Sequence, residues 1–173
     1  MVIYLDGASI TALEFYRDQK ALQDVVSGFT SNPSLMKSSG VKDYEKFAKD
    51  FLSLAQGKPV SFEVLSDDTD TIYREAKTIA SWGENVYVKI PIMKTNGENN
   101  CLLIAALGID QIKLNVTAVM TLPQIREVSR YLNPKVPAII SIFAGRIADT
   151  GRDPIPFFTE AARVKHDKTK ILW

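Results

Sequence analysis

The sequence predicts an α/β protein of the (β/α)8 TIM-barrel class, and three observations carry that prediction. Short apolar runs alternate along the chain with segments of helical periodicity, the order expected of a parallel sheet built from βα units. A polar residue stands near the C-terminal end of run after run: Asp6, Asn32, Glu63, Lys89, Asn115 with Thr117, and Arg146. Neither a Gly-x-Gly-x-x-Gly turn nor a Walker-type phosphate loop is present. A doubly wound sheet gathers its site at one switch point, whereas a barrel draws its site from the ends of many strands. Polar ends on six strands therefore favour the barrel.

Taken in order, the first run covers residues 2–5 and ends at Asp6, with Ser9 suited to cap the helix that follows. The second, residues 28–31, leads into Asn32-Pro33, which by itself reads as a turn. Val41, Tyr44, Phe47, Phe51 and Leu54 recur at three- and four-residue steps and predict a helix over 41–54. Residues 60–64 form the third run. Asp68-Thr69-Asp70 opens the next helix, whose apolar face is Ile72, Ala76, Ile79 and Ala80. The fourth run, residues 86–90, contains Lys89; the fifth and sixth are 112–117 and 138–143. Leu122, Ile125, Val128 and Leu132 mark a helix between the last two, Asp153-Pro154 starts another, and residues 170–173 begin a seventh strand. A barrel of this class takes about 250 residues and rarely fewer than about 200. The expectation is one domain over residues 1–173, a C-terminally incomplete barrel of six complete βα units and the start of strand seven.

Composition narrows the function. With 173 residues, 46% of them hydrophobic, the chain can bury one sizeable core. A net charge of +1, from 21 basic and 20 acidic side chains, gives no electrostatic case for nucleic acid or an anionic membrane. No apolar stretch approaches a membrane span and no signal peptide is visible, so a cytoplasmic location is expected. The single cysteine, Cys101, lies in an apolar helix-like stretch and reads as a buried structural thiol. His166 sits in a charged helix end and is expected to face solvent.

Lys89 is the most informative residue. It interrupts the β-branched run Val86-Tyr87-Val88-Lys89-Ile90-Pro91, which reads as a buried strand. Burying an ammonium is costly, and losing the proton leaves the neutral amine that Schiff-base chemistry needs. A lysine that snorkels to water or pairs with a carboxylate fits the same run equally well.

Several segments together resemble the transaldolases, class I Schiff-base enzymes of the pentose phosphate pathway. They are Tyr4-Leu5-Asp6, Thr30-Ser31-Asn32-Pro33-Ser34-Leu35-Met36, Phe62-Glu63-Val64, the Lys89 strand, Leu114-Asn115-Val116-Thr117, and Ser141-Ile142-Phe143-Ala144-Gly145-Arg146-Ile147. Phe29 and Met93 depart from the family pattern, which has a smaller residue and a Ser or Thr there.

The resemblance implies that Lys89 forms an imine with a ketose phosphate and Asp6 acts as acid and base. It implies that Glu63 and Thr117 hold a water used in imine chemistry. A plain salt bridge from Glu63 to Lys89, keeping the amine protonated, is the competing reading. Asn32, Asn115 and Ser141 are implied as contacts to sugar hydroxyls, with Phe143 beside them and Arg146 as a phosphate ligand. The related fructose-6-phosphate aldolases carry Gln and Tyr where this chain has Glu63 and Phe143, so the resemblance favours transfer over simple cleavage. The expected partners are sugar phosphates, with no metal, no organic cofactor, no nucleic acid and no membrane; self-association into a homo-oligomer is compatible with it. Against these stands an aldolase, and outside catalysis an inactive barrel fragment.

Overall fold

The structure is a computed structural model that describes residues 2–173. Within these residues seven strands form one sheet: β1 (Ile3–Asp6), β2 (Val26–Thr30), β3 (Val60–Glu63), β4 (Val86–Pro91), β5 (Leu114–Val119), β6 (Ala138–Ile142) and β7 (Thr169–Leu172). They lie in sequence order and every neighbouring pair is parallel. A doubly wound sheet would reverse its order partway, so this unbroken order is that of a barrel wall. Among the described residues β1 and β7 do not pair, which leaves one seam open. The result is an incomplete, nearly closed (β/α)8 barrel.

Among the described residues nine helices connect the strands: α1 (Ile10–Arg17), α2 (Lys20–Val25), α3 (Pro33–Ser38), α4 (Tyr44–Leu54), α5 (Thr69–Ala80), α6 (Cys101–Ile109), α7 (Leu122–Tyr131), α8 (Ala144–Asp149) and α9 (Ile155–Val164). Their starts follow local chemistry. Ser9 accepts a hydrogen bond from the Ala12 amide and Asp68 from the Thr71 amide, as their positions predict. Helix α4 starts three residues later than its apolar pattern suggests, because the Asp43 carboxylate caps the Lys46 amide. Val41 lies before that cap and packs against the core from outside the helix. Leu132 likewise falls one residue past α7, as its C-terminal cap. The start at 153–154 is shifted too: Pro154 is the cap residue of α9, and Asp153 Oδ1 accepts from the Ile155 amide at 2.9 Å.

Strand alternation divides the side chains into two populations. On β4, Val86, Val88 and Ile90 join the continuous core between strands and helices, while Tyr87 and Lys89 point into the barrel. On β3, Phe62 points outward and is fully buried edge-to-face against Tyr44, Phe47, Phe51 and Trp82. Burying one such ring stabilises by roughly 1.5–3 kcal/mol. Inside the barrel the Tyr4 ring lies over Gly28, where a Cβ would come within 2.4 Å of a ring carbon. Only glycine leaves room for that tyrosine.

Strand β7 pairs with β6 over four residues, Thr169–Leu172, beginning one residue before the run 170–173. His166 is half-buried, with Nε2 2.8 Å from the Ser129 carbonyl oxygen, which corrects its expected solvent exposure. Cys101 is buried on α6 as expected, and burial, reinforced by Glu127, pushes its thiol up to about 11. No helix among the described residues is long and apolar enough to cross a membrane.

Candidate active site

The sheet register brings the polar strand ends together. In a parallel pair, residues opposite one another share a face. Glu63 lies opposite Lys89, and Lys89 lies opposite Asn115. Alternation therefore turns all three into the barrel. Lys89 is 8% exposed; its Nζ is 3.1 Å from Glu63 Oε2 and donates to the Ser31 carbonyl oxygen at 3.3 Å. Glu63 thus forms the ion pair that competes with the water-holding role, and no direct hydrogen bond joins it to Thr117. Behind it, the Tyr44 hydroxyl donates to the Glu63 carbonyl oxygen at 2.8 Å and ties the end of β3 to α4. Burial drives the Tyr44 phenol well above its ordinary value, with the Glu63 charge adding to the effect.

Asp6 stands at the end of β1, opposite Thr30 of β2. It is exposed, and the Thr30 hydroxyl donates to its Oδ1 at 2.7 Å. Two residues earlier on the same strand face, the Tyr4 hydroxyl is buried without a partner among the described residues, and burial beside Tyr87 raises it to about 12. Thr117 is 2% exposed and its hydroxyl also has no partner.

Asn115 is fully buried between two serines: Ser141 Oγ donates to its Oδ1 at 2.8 Å, and its Nδ2 donates to Ser61 Oγ at 2.9 Å. Asn32 caps α3, its Oδ1 accepting from the Leu35 amide at 3.0 Å. The turn reading of Asn32 is therefore satisfied, and its Nδ2 remains for another partner.

One cavity of about 880 Å³ collects Asp6, Asn32, Lys89, Thr117, Ser141 and Phe143. Glu63 and Asn115 are not on its lining; they hold Lys89 and Ser141 from behind. Arg146 is outside it. Its side chain is 75% exposed, and it reaches Asp149 one turn further along α8 at 3.7 Å. Towards the open seam the wall turns apolar, with Ile155, Phe158, Leu172 and Trp173. Among the described residues no cluster of three His, Cys, Asp or Glu side chains is placed to hold a metal.

Thr30 and Ser61 are functional candidates that residue-by-residue reading passes over. Both had a signal: Ser61 precedes Glu63 by two residues and so shares its face, and Thr30 precedes Asn32 by two. Hydroxyl residues are too common on strands for that signal to stand alone.

Chemically, the cavity offers a buried primary amine with a carboxylate in contact, a second carboxylate at its mouth, and neutral hydrogen-bonding groups between them. The family described as Transaldolase/Fructose-6-phosphate aldolase matches residues 3–173. A "Probable transaldolase" of Streptococcus pyogenes serotype M5 (strain Manfredo) is 31% identical over 170 residues, covering 95% of this chain and 70% of the relative. Another, from Streptococcus equi subsp. zooepidemicus (strain MGCS10565), is 32% identical over 164 residues, covering 92% and 68%. Among solved structures, an orotidine 5'-phosphate decarboxylase from Pyrococcus horikoshii OT3 matches with a TM-score of 0.53 at 11% identity, covering 99% of this chain and 88% of its own. "QR15, an Aldolase" gives 0.54 at 13% identity, covering 99% and 89%. At these identities the two structures attest the barrel fold alone. The strand-end residues, their convergence on one cavity and the match over nearly the whole length make this chain a member of the transaldolase/fructose-6-phosphate aldolase family.

Proposed function

We propose that the chain, acting as one domain over residues 1–173, is a transaldolase-type transferase that moves a dihydroxyacetone unit from a ketose phosphate to an aldose phosphate through an imine on Lys89. The observation that carries this reading is the buried Lys89, 3.1 Å from Glu63, facing the same cavity as Asp6.

The Lys89 ammonium must give up a proton before it can attack, and the touching Glu63 carboxylate is positioned to accept it. The free amine adds to the ketose C2 carbonyl, and loss of water gives the iminium. Asp6 then takes the proton from the C4 hydroxyl. The C3–C4 bond breaks, its electron pair moves into the iminium to form an enamine, and the aldehyde leaves. The enamine attacks the carbonyl carbon of the acceptor aldose, and Asp6 returns its proton to the new hydroxyl. Water then hydrolyses the imine and frees the amine. Thr117, whose buried hydroxyl has no protein partner, serves as a holder of the water used in these steps, with Glu63 on the other side of the lysine. Asn32 and Ser141 contact the sugar hydroxyls and Phe143 forms the wall beside them, while Asn115, implied by the resemblance as a further contact, acts from behind by holding Ser141. Arg146 is assigned the phosphate from the rim, which requires it to leave Asp149 and turn inward.

The family also contains aldolases that release free dihydroxyacetone. Glu63 and Phe143 stand in this chain where the resemblance gives the aldolase branch Gln and Tyr, and they favour transfer. Incubation with fructose 6-phosphate, with and without erythrose 4-phosphate, tests the choice. Product that forms only with the acceptor supports transfer; free dihydroxyacetone without it assigns the chain to the aldolases.

A further inference from the structure

We propose that Ser61 is a positioning residue for the sugar-binding wall, acting through Asn115 on Ser141. The proposal rests on the Schiff-base reading above and extends it to a residue that never touches the cavity.

Three hydrogen-bonded side chains, Ser141 to Asn115 to Ser61, run from the cavity wall into the interior of the barrel. They come from β6, β5 and β3 and so bridge across β4, the strand that carries Lys89. In register, Ser61 lies opposite Tyr87 and Asn115 opposite Lys89, which places the link beneath the lysine as a polar floor. Ser61 and Asn115 are fully buried, so water cannot replace either bond. A buried amide with both ends engaged is held in one orientation. Without Ser61, the Asn115 Nδ2 would be a buried donor with no acceptor, and the amide would be free to rotate away from Ser141.

The direction of the chain also sets what Ser141 can recognise. Its hydroxyl proton is spent on Asn115 Oδ1, which leaves its oxygen to accept from the cavity side. A lone pair there suits a sugar hydroxyl, which can donate, and disfavours an ionised phosphate, which cannot. The Ser61–Asn115–Ser141 chain therefore assigns this wall to the neutral polyol part of the substrate.

The test is a double-mutant cycle on the borohydride-trapped adduct at Lys89, measured against fructose 6-phosphate concentration for wild type, Ser61→Ala, Ser141→Ala and the double variant. Ser61→Ala, which shrinks the residue and introduces no clash, should raise the half-saturating sugar about tenfold while the plateau trapping rate stays within about twofold. The double variant should be no worse than Ser141→Ala alone. An unchanged half-saturation in Ser61→Ala, or effects that multiply independently, overturns the proposal. A loss of plateau rate without a shift in half-saturation does so too, since it marks a merely structural role. If wild type forms no adduct at Lys89 at any concentration, the Schiff-base reading itself fails, an outcome distinct from a normal adduct that Ser61→Ala does not affect.

Discussion

Lys89 and Glu63 stand opposite one another across the β3–β4 pair, and their charged ends meet at 3.1 Å with both side chains mostly buried. Removing one partner from such a pair leaves an uncompensated buried charge. Glu63→Ala is expected to destabilise the protein by about 3 kcal/mol in urea unfolding. It should also slow imine trapping by about two orders of magnitude, the lower end of a general-base contribution. Glu63→Gln, which keeps the shape and a hydrogen-bond acceptor but not the charge, should recover only part of the stability and little of the rate. Full rate in Glu63→Gln would show that the pair is structural only.

Of the glycines, Gly28 has the least room for a side chain, because the Tyr4 ring fills the space. A Cβ at Gly28 would meet two Tyr4 ring carbons at 2.4 and 2.6 Å and the Pro59 carbonyl oxygen at 2.8 Å. Gly28→Ala should cost about 2 kcal/mol, the usual scale of overpacking. Combining it with Tyr4→Ala should recover only part of that, because the Pro59 backbone remains. Equal stability of Gly28→Ala and wild type in urea would contradict this packing.

Glu160 on α9 accepts from Arg163 at 2.9 Å and from Arg126 of α7 at 2.5 Å, and these two cations hold its carboxyl down at about 2. A carboxyl depressed in the folded state adds stability above its ordinary value near 4.5, and that stability is lost as pH falls towards 2. Glu160→Gln should therefore melt below wild type at pH 7, with the difference shrinking between pH 4.5 and pH 2. A difference independent of pH would assign the effect to packing.

Cys101 offers a simple check on the core. With its thiol raised to about 11 by burial and by Glu127, almost no thiolate exists at pH 8. Alkylation of the native protein by iodoacetamide should be at least about tenfold slower than in urea. Comparable rates would mean that α6 does not bury its first turn.

Much of this arrangement is legible from the residues. Period-two alternation exposes the strands, and Glu63, Lys89 and Asn115 announce themselves as polar breaks in apolar runs. Their convergence is harder to read, because it depends on register: Glu63, Lys89 and Asn115 align only once β3, β4 and β5 are paired. Helix starts were visible where the cap abuts the apolar pattern, as at Ser9 and Asp68. At Val41 the pattern runs past the cap, since a residue outside a helix can still pack against the same core. The motif around Arg146 implies a phosphate contact, but its side chain points to Asp149, an orientation set by local charge on a short exposed helix. Ser61 was hidden because one hydroxyl in a strand is unremarkable until its partners are known.

The central claim is that Lys89 is the imine-forming amine. Borohydride reduction in the presence of fructose 6-phosphate, followed by peptide mass mapping, tests it directly. The account predicts a single sugar-derived adduct on the peptide containing Lys89, absent from Lys89→Met. No adduct, or one on another lysine such as Lys170 at the open seam, would contradict it.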